Sequence, residues 1–161
     1  MLFRSVTTFS TGLPVTMVET DDHSLLGTAF GGPITLPVDT PDQIAPLHKF
    51  DPRTVQTIGG VSAHYYFDPT AFVSSAIGSE GNTARRFFHG PGINNWNMAF
   101  HKDTQLTERV NLQFRADFFN MFNHVQFATP LGILSGAIGQ VTQTVQSYGS
   151  RTGQLSLKLN F

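Results

Sequence analysis

Cysteine is absent from this 161-residue chain. That excludes a disulfide scaffold, a thiolate nucleophile and any zinc–thiolate site. Charge is scarce too: 13% of the residues are Asp, Glu, Lys or Arg, and their balance leaves a formal net charge of −1. A soluble domain usually carries roughly 25%. Ten Lys plus Arg are too few for a basic surface that neutralises phosphates, so no nucleic-acid partner is expected. A long charged tail is excluded as well. No apolar run approaches the roughly 18 residues of a membrane-spanning helix. The opening Met1-Leu2-Phe3-Arg4-Ser5-Val6 lacks the basic, apolar and small-residue order of a secretory leader, and the chain is expected to lack a signal peptide. What the chain has instead is 46 Ser, Thr, Asn and Gln and fifteen Phe. Its polarity comes from groups that hydrogen-bond without a large desolvation penalty.

Four stretches alternate with the period of a strand. In 152–161, Leu155, Leu157, Leu159 and Phe161 face one side and Gln154, Ser156, Lys158 and Asn160 the other. In 108–121, Val110, Leu112, Phe114, Ala116 and Phe118 oppose Asn111, Gln113, Arg115 and Asp117. Helical spacing would mix these two sets. In 94–103, Trp96, Met98 and Phe100 alternate with Asn97, Ala99 and His101, and the polar Asp103-Thr104-Gln105 that follows predicts a hairpin turn. The fourth, 3–17, is rich in Thr, Val and Phe but is interrupted by Gly12 and Pro14. Two long irregular segments remain, 18–92 and 124–151, the second with a Thr/Gln run that suggests a further strand over 137–147. Connections of this length are unusual in a compact soluble domain.

Strands of about ten residues with one apolar face, one short turn and two very long connections at the other end fit an outer-membrane β-barrel. A soluble sandwich alternates as well, and the second reading is a secreted or surface all-β module that binds ligand with its long loops. Neutral polar residues on the wet faces, with aromatics Trp96, Phe118 and Phe122 near strand ends as interface aromatics, favour the barrel. The fold expected is all-β: an antiparallel meander of about four to six transmembrane strands, the C-terminal part of a larger barrel. Four to six strands do not close one, since known single-chain barrels have at least about eight.

The strings Gly90-Pro91-Gly92-Ile93-Asn94-Asn95-Trp96-Asn97-Met98 and Leu106-Thr107-Glu108-Arg109-Val110-Asn111-Leu112-Gln113-Phe114-Arg115-Ala116-Asp117-Phe118-Phe119-Asn120-Met121-Phe122-Asn123-His124 resemble the C-terminal end of the Oar-like TonB-dependent outer-membrane receptors, a family abundant in Acidobacteria. The likeness extends through 81–89 and back to 9–16. The last strand also resembles the outer-membrane assembly signal, with Gln154 at its polar position, Leu159 and Phe161 at its apolar ones, and Ser156 where glycine is usual. The resemblance implies a wall segment of a plugged barrel in the outer membrane of a Gram-negative bacterium, driven by TonB and contributing to uptake of a solute. Its partners would be outer-membrane lipid, the barrel-assembly machinery, and the rest of the barrel with its plug. The chain would then be a fragment, lacking signal peptide and plug. With Phe161 on the periplasmic side, the turn near 103–107 is periplasmic and both long segments lie outside.

Chemistry-bearing residues suggest no catalytic, cofactor or metal site, and no enzyme is expected. The six histidines show no helical i, i+4 pairing and no attendant Glu. Glu19, Asp21 and Asp22 lack the alternating carboxylates and central glycine of a calcium loop, and they read as solvated loop charge. Arg115 and Asp117 share a wet face and form the candidate lumen ion pair. Arg85 and Arg86 beside Phe87 and Phe88 read as loop packing, and Asn120 and Asn123 as residues that help to end a strand. No nucleophile elbow or phosphate-binding glycine loop occurs.

Overall fold

A computed structural model describes residues 1–27 and 39–161; the part of the expected 18–92 connection at 28–38, with Pro33 and Pro37, lies outside the described residues. The strands in chain order are β1 (Leu2–Ser10), β2 (Pro14–Val15), β3 (Asp42–Gln43), β4 (Gln56–Ile58), β5 (Val61–Ala63), β6 (Phe72–Val73), β7 (Phe88–His89), β8 (Ile93–Gln105), β9 (Asn111–Phe119) and β10 (Thr152–Asn160). One short 3-10 turn, Pro69–Ala71, completes the regular structure of the described residues. They divide into two compact units.

The first unit, Met1–Ser10, Gly92–Gln126 and Thr144–Phe161, is a four-stranded antiparallel sheet in the order β1-β8-β9-β10. Alternation of β-branched and aromatic residues with small polar ones makes each segment a strand. The register fixes which residues share a face: Phe100 lies opposite Phe3 on one side and Ala116 on the other, and Ala116 lies opposite Leu155. Both edges of this sheet are unpaired among the described residues.

Boundaries differ from the sequence expectation in three places. β8 runs to Gln105, and the turn falls at 106–110, where Leu106 N–H donates to the Val110 carbonyl at 2.9 Å. Asp103 stays in the ladder because its Oδ1 accepts a 3.1 Å hydrogen bond from Gln113 Nε2 of β9. β9 stops at Phe119 because Asn120 adopts a left-handed φ of 48°, a conformation that asparagine tolerates. The expected strand 3–17 ends at Ser10, since the Gly12 backbone abuts that of Gly90 and Pro91 with no room for a Cβ.

The second unit comprises Thr11–Pro91 and Phe127–Gln143. The long connections are therefore not irregular throughout. They hold the short pairs β2-β7, β3-β6 and β4-β5 around a core of Val15, Met17, Phe67, Ala71, Phe72, Phe88 and Ile138. Phe67 meets Phe88 and Phe72 edge-on, at centroid separations of 5.1 and 5.7 Å. Full burial of such a ring contributes roughly 1.5–3 kcal/mol. The strand expected over 137–147 does not form; Gln140 makes a single bridge to Tyr65.

Candidate functional site

The sheet of the first unit has two unlike faces. On the apolar face stand Trp96, Met98 and Phe100 of β8, Leu112, Phe114, Ala116 and Phe118 of β9, and Leu155, Leu157 and Leu159 of β10. They form one continuous belt across three strands, extended onto β1 by Phe3 and Phe9. Lys102 interrupts it opposite Phe114, two residues before Thr104 meets Leu112 in the last row of this face within the ladder. A long stem so placed lets the ammonium reach toward the polar boundary. The belt is bare: Leu155 is 69% exposed and Leu157 68%.

Each β1, β9 and β10 strand has nine residues and β8 thirteen. A strand tilted across the hydrocarbon layer needs about 9–11. Trp96 packs edge-on against Phe9 and Phe122, each at 5.7 Å, near the end of the sheet from which both long connections leave. Its indole N–H donates to Asn94 Oδ1 at 2.9 Å, which gives this aromatic cluster an apolar body and a polar tip. Phe118 does not join that cluster; it stands one row further in, 6.3 Å from Phe100.

The opposite face of the same strands is polar. Arg115 Nε lies 2.8 Å from Asp117 Oδ2, so the two residues singled out in the sequence do meet. Gln154 stands opposite Asp117, Ser156 opposite Arg115 and Lys158 opposite Gln113. His101 Nε2 lies 3.2 Å from Asp103 Oδ1. Leu159 pairs with Leu112 on the apolar side, and Phe161 follows the end of β10, 98% exposed.

Sequence reasoning missed a network of buried amides at the end of the sheet near Trp96. Gln126 is 1% exposed; its Oε1 accepts from the Asn94 N–H at 2.9 Å and its Nε2 donates to the carbonyl of His124 at 3.0 Å. Asn120 donates from Nδ2 to the carbonyls of His124 and Gly149, at 3.1 and 3.0 Å, and accepts from the His124 N–H at 2.9 Å. Beyond the weak hint that Asn abounds there, nothing local signals these contacts.

The second unit corrects one expectation. Glu19 is not solvated loop charge: it is buried, its carboxylate accepts from Ser75 N–H at 2.7 Å and Ser75 Oγ at 3.3 Å, and His23 Nδ1 stands 3.1 Å away. Asp21 is exposed. No three His, Asp or Glu residues among those described are grouped to hold a metal ion. Phe88 lies in the core with Phe87 packed against it, while Arg85 and Arg86 are exposed. The cation over the Phe88 ring is Lys49, 5.2 Å from its centroid and 5.6 Å from that of Tyr66. Burial pushes the Tyr66 hydroxyl above the ordinary phenol range.

A bare apolar belt backed by a polar face is the arrangement of a barrel wall, lipid on one side and water on the other. A family model for an outer membrane beta barrel domain matches residues 3–154. The chain belongs to that family. Outer membrane beta barrel domains lie in the outer membrane and cross it with strands, so the absence of a long apolar helix among the described residues says nothing against it. No curated protein and no solved structure matches the chain.

Proposed function

We propose that this outer-membrane β-barrel chain is a wall segment of a TonB-dependent transporter or receptor of the Oar-like kind, in the outer membrane of a Gram-negative bacterium. It takes part in the energised passage of a solute. The observation that carries the reading is the exposed belt of Leu155, Leu157, Leu159 and Phe114 on the reverse of a face that holds Arg115, Asp117, Gln113 and Lys158. A soluble sandwich would cover that belt with a second sheet. Burying it in lipid instead removes the whole apolar surface from water at about 25 cal/mol per Å².

On this reading the chain acts structurally, with no catalytic step of its own. Unpaired edges would cost several kcal/mol per orphan backbone group in lipid, so β1 and β10 pair with further strands of the barrel. The plug and TonB act through other parts of the receptor. Gln154, Leu159 and Phe161 present the last strand to the barrel-assembly machinery.

The test is fractionation and uptake with the encoding gene in its genomic context. The reading predicts recovery of the protein in the outer-membrane fraction, with solute uptake abolished by removal of TonB or of the proton gradient. Recovery in the soluble fraction without detergent contradicts membrane insertion; membrane recovery with uptake indifferent to TonB contradicts energised transport.

A further inference from the structure

The polar face of the sheet carries a pocket of about 370 Å³ where β8, β9 and β10 meet the 147–150 segment. That volume falls within the roughly 300–1,000 Å³ of small-molecule sites. Asn95, Asn97 and Asn120 line it with Tyr148, Phe119 and Thr152, and among the described residues no charged side chain does so. The pocket is built rather than incidental. Asn120 Nδ2 holds the Gly149 carbonyl at 3.0 Å, fixing the turn that carries Tyr148.

The amides are oriented as well. Asn97 Oδ1 accepts from the Asn120 backbone N–H at 3.0 Å and can only be an acceptor there. Asn95 Nδ2 donates to that same oxygen at 3.2 Å. This leaves Asn95 Oδ1 buried with no donor, and a buried acceptor without a partner is disfavoured. Asn95 and Asn97 thus stand at the pocket wall as an amide pair held in one orientation.

From these observations we infer that the pocket binds an uncharged polyhydroxylated solute of saccharide type. A charged ligand would leave its charge uncompensated among neutral groups. Amides and hydroxyls, by contrast, both donate and accept, as sugar hydroxyls do. The Tyr148 and Phe119 rings supply the apolar area that covers the C–H faces of such a ligand. The inference deepens the transport reading, on which it rests for the statement that this face lines the aqueous path.

The test uses the full chain folded in detergent micelles, with its β content checked by circular dichroism, and calorimetric titration with maltotriose and with glucose 6-phosphate. Saturable maltotriose binding, weaker binding of the phosphate, and a loss of about tenfold in Tyr148→Ala and in Asn97→Leu are expected. Tyr148 lies outside the strands, so its variant keeps the test open should Asn97→Leu misfold. Absence of saturable maltotriose binding to the folded chain overturns the inference, as does equal affinity for the phosphate or unchanged affinity in folded Tyr148→Ala. The same preparations are reconstituted into phosphatidylcholine vesicles. A chain that inserts but binds no sugar refutes the pocket and spares the barrel, whereas sugar binding by a chain that cells deliver to the soluble fraction without detergent does the reverse.

Discussion

Gly153 of β10 lies directly opposite Phe118 of β9, and the Phe118 ring occupies the space beside the glycine: a Cβ built at 153 would meet Phe118 Cδ1 at 3.3 Å. The glycine leaves a gap in the apolar belt, and the neighbouring aromatic fills it. A leucine at 153 therefore needs the Phe118 ring to shift. Overpacking of this kind typically costs about 1–3 kcal/mol. The expected outcome is a lower urea midpoint for the chain folded in vesicles, with Phe118→Ala in the Gly153→Leu background recovering part of the loss.

Leu157 and Ser156 are neighbours on opposite faces. An arginine at the lipid side of a barrel strand costs roughly 2–4 kcal/mol near the bilayer midplane, and substitutions on the lumen side affect stability little. In the barrel that contains the chain, Leu157→Arg should sharply reduce the fraction that folds into vesicles, read as the heat-modifiable band on electrophoresis, while Ser156→Glu, which puts a charge on the other face opposite Arg115, leaves it near the parent value. Equal losses for both would place the two faces in the same environment.

The Arg115–Asp117 pair is close at 2.8 Å, but the arginine side chain is 61% exposed. Water screens such a pair, and its coupling is expected to be below about 1 kcal/mol. A double-mutant cycle of Arg115→Gln and Asp117→Asn, read by urea unfolding, should return that small value. A coupling above about 3 kcal/mol would mean that the pair is desolvated in the closed barrel.

Tyr66, in the unit that holds the Phe67 core, donates from its hydroxyl to the His89 carbonyl at 3.2 Å. Burial raises its pKa above the ordinary value of 10.0. Unfolded Tyr66 ionises first as pH rises, so the unfolded state binds fewer protons there and stability declines. The stabilising contribution is complete below about pH 10 and disappears as pH rises through the folded value. Denaturation between about pH 9 and 11 should show a steeper decline for the parent chain than for Tyr66→Phe, which lacks the titrating group.

Strands β8, β9 and β10 were legible in the sequence because a period of two is a local signal: Leu112, Phe114, Ala116 and Phe118 declare a face within seven residues. Asn120 was legible as a residue that helps to end β9, because asparagine tolerates a positive φ, although the strand stops at Phe119 and not at 121. The second unit was not. Its core joins Met17, Phe67, Phe88 and Ile138, which are far apart in the chain and follow no period, so their meeting is written only in three dimensions. The polar pocket escaped for a related reason. The significance of Asn95, Asn97 and Asn120 lies in which amide atom each backbone group claims, and residue type alone does not encode that.

As a strand of a barrel wall, β10 turns one face to lipid and the other to water. A chain without cysteine accepts a single spin label at each position from 154 to 159, and collision rates with oxygen and with an aqueous nickel chelate, in vesicles, read the two environments separately. Oxygen should dominate at 155, 157 and 159 and nickel at 154, 156 and 158. Shielding of 155, 157 and 159 from both reagents, as in a sandwich core, or equal nickel access along the whole strand, would contradict it.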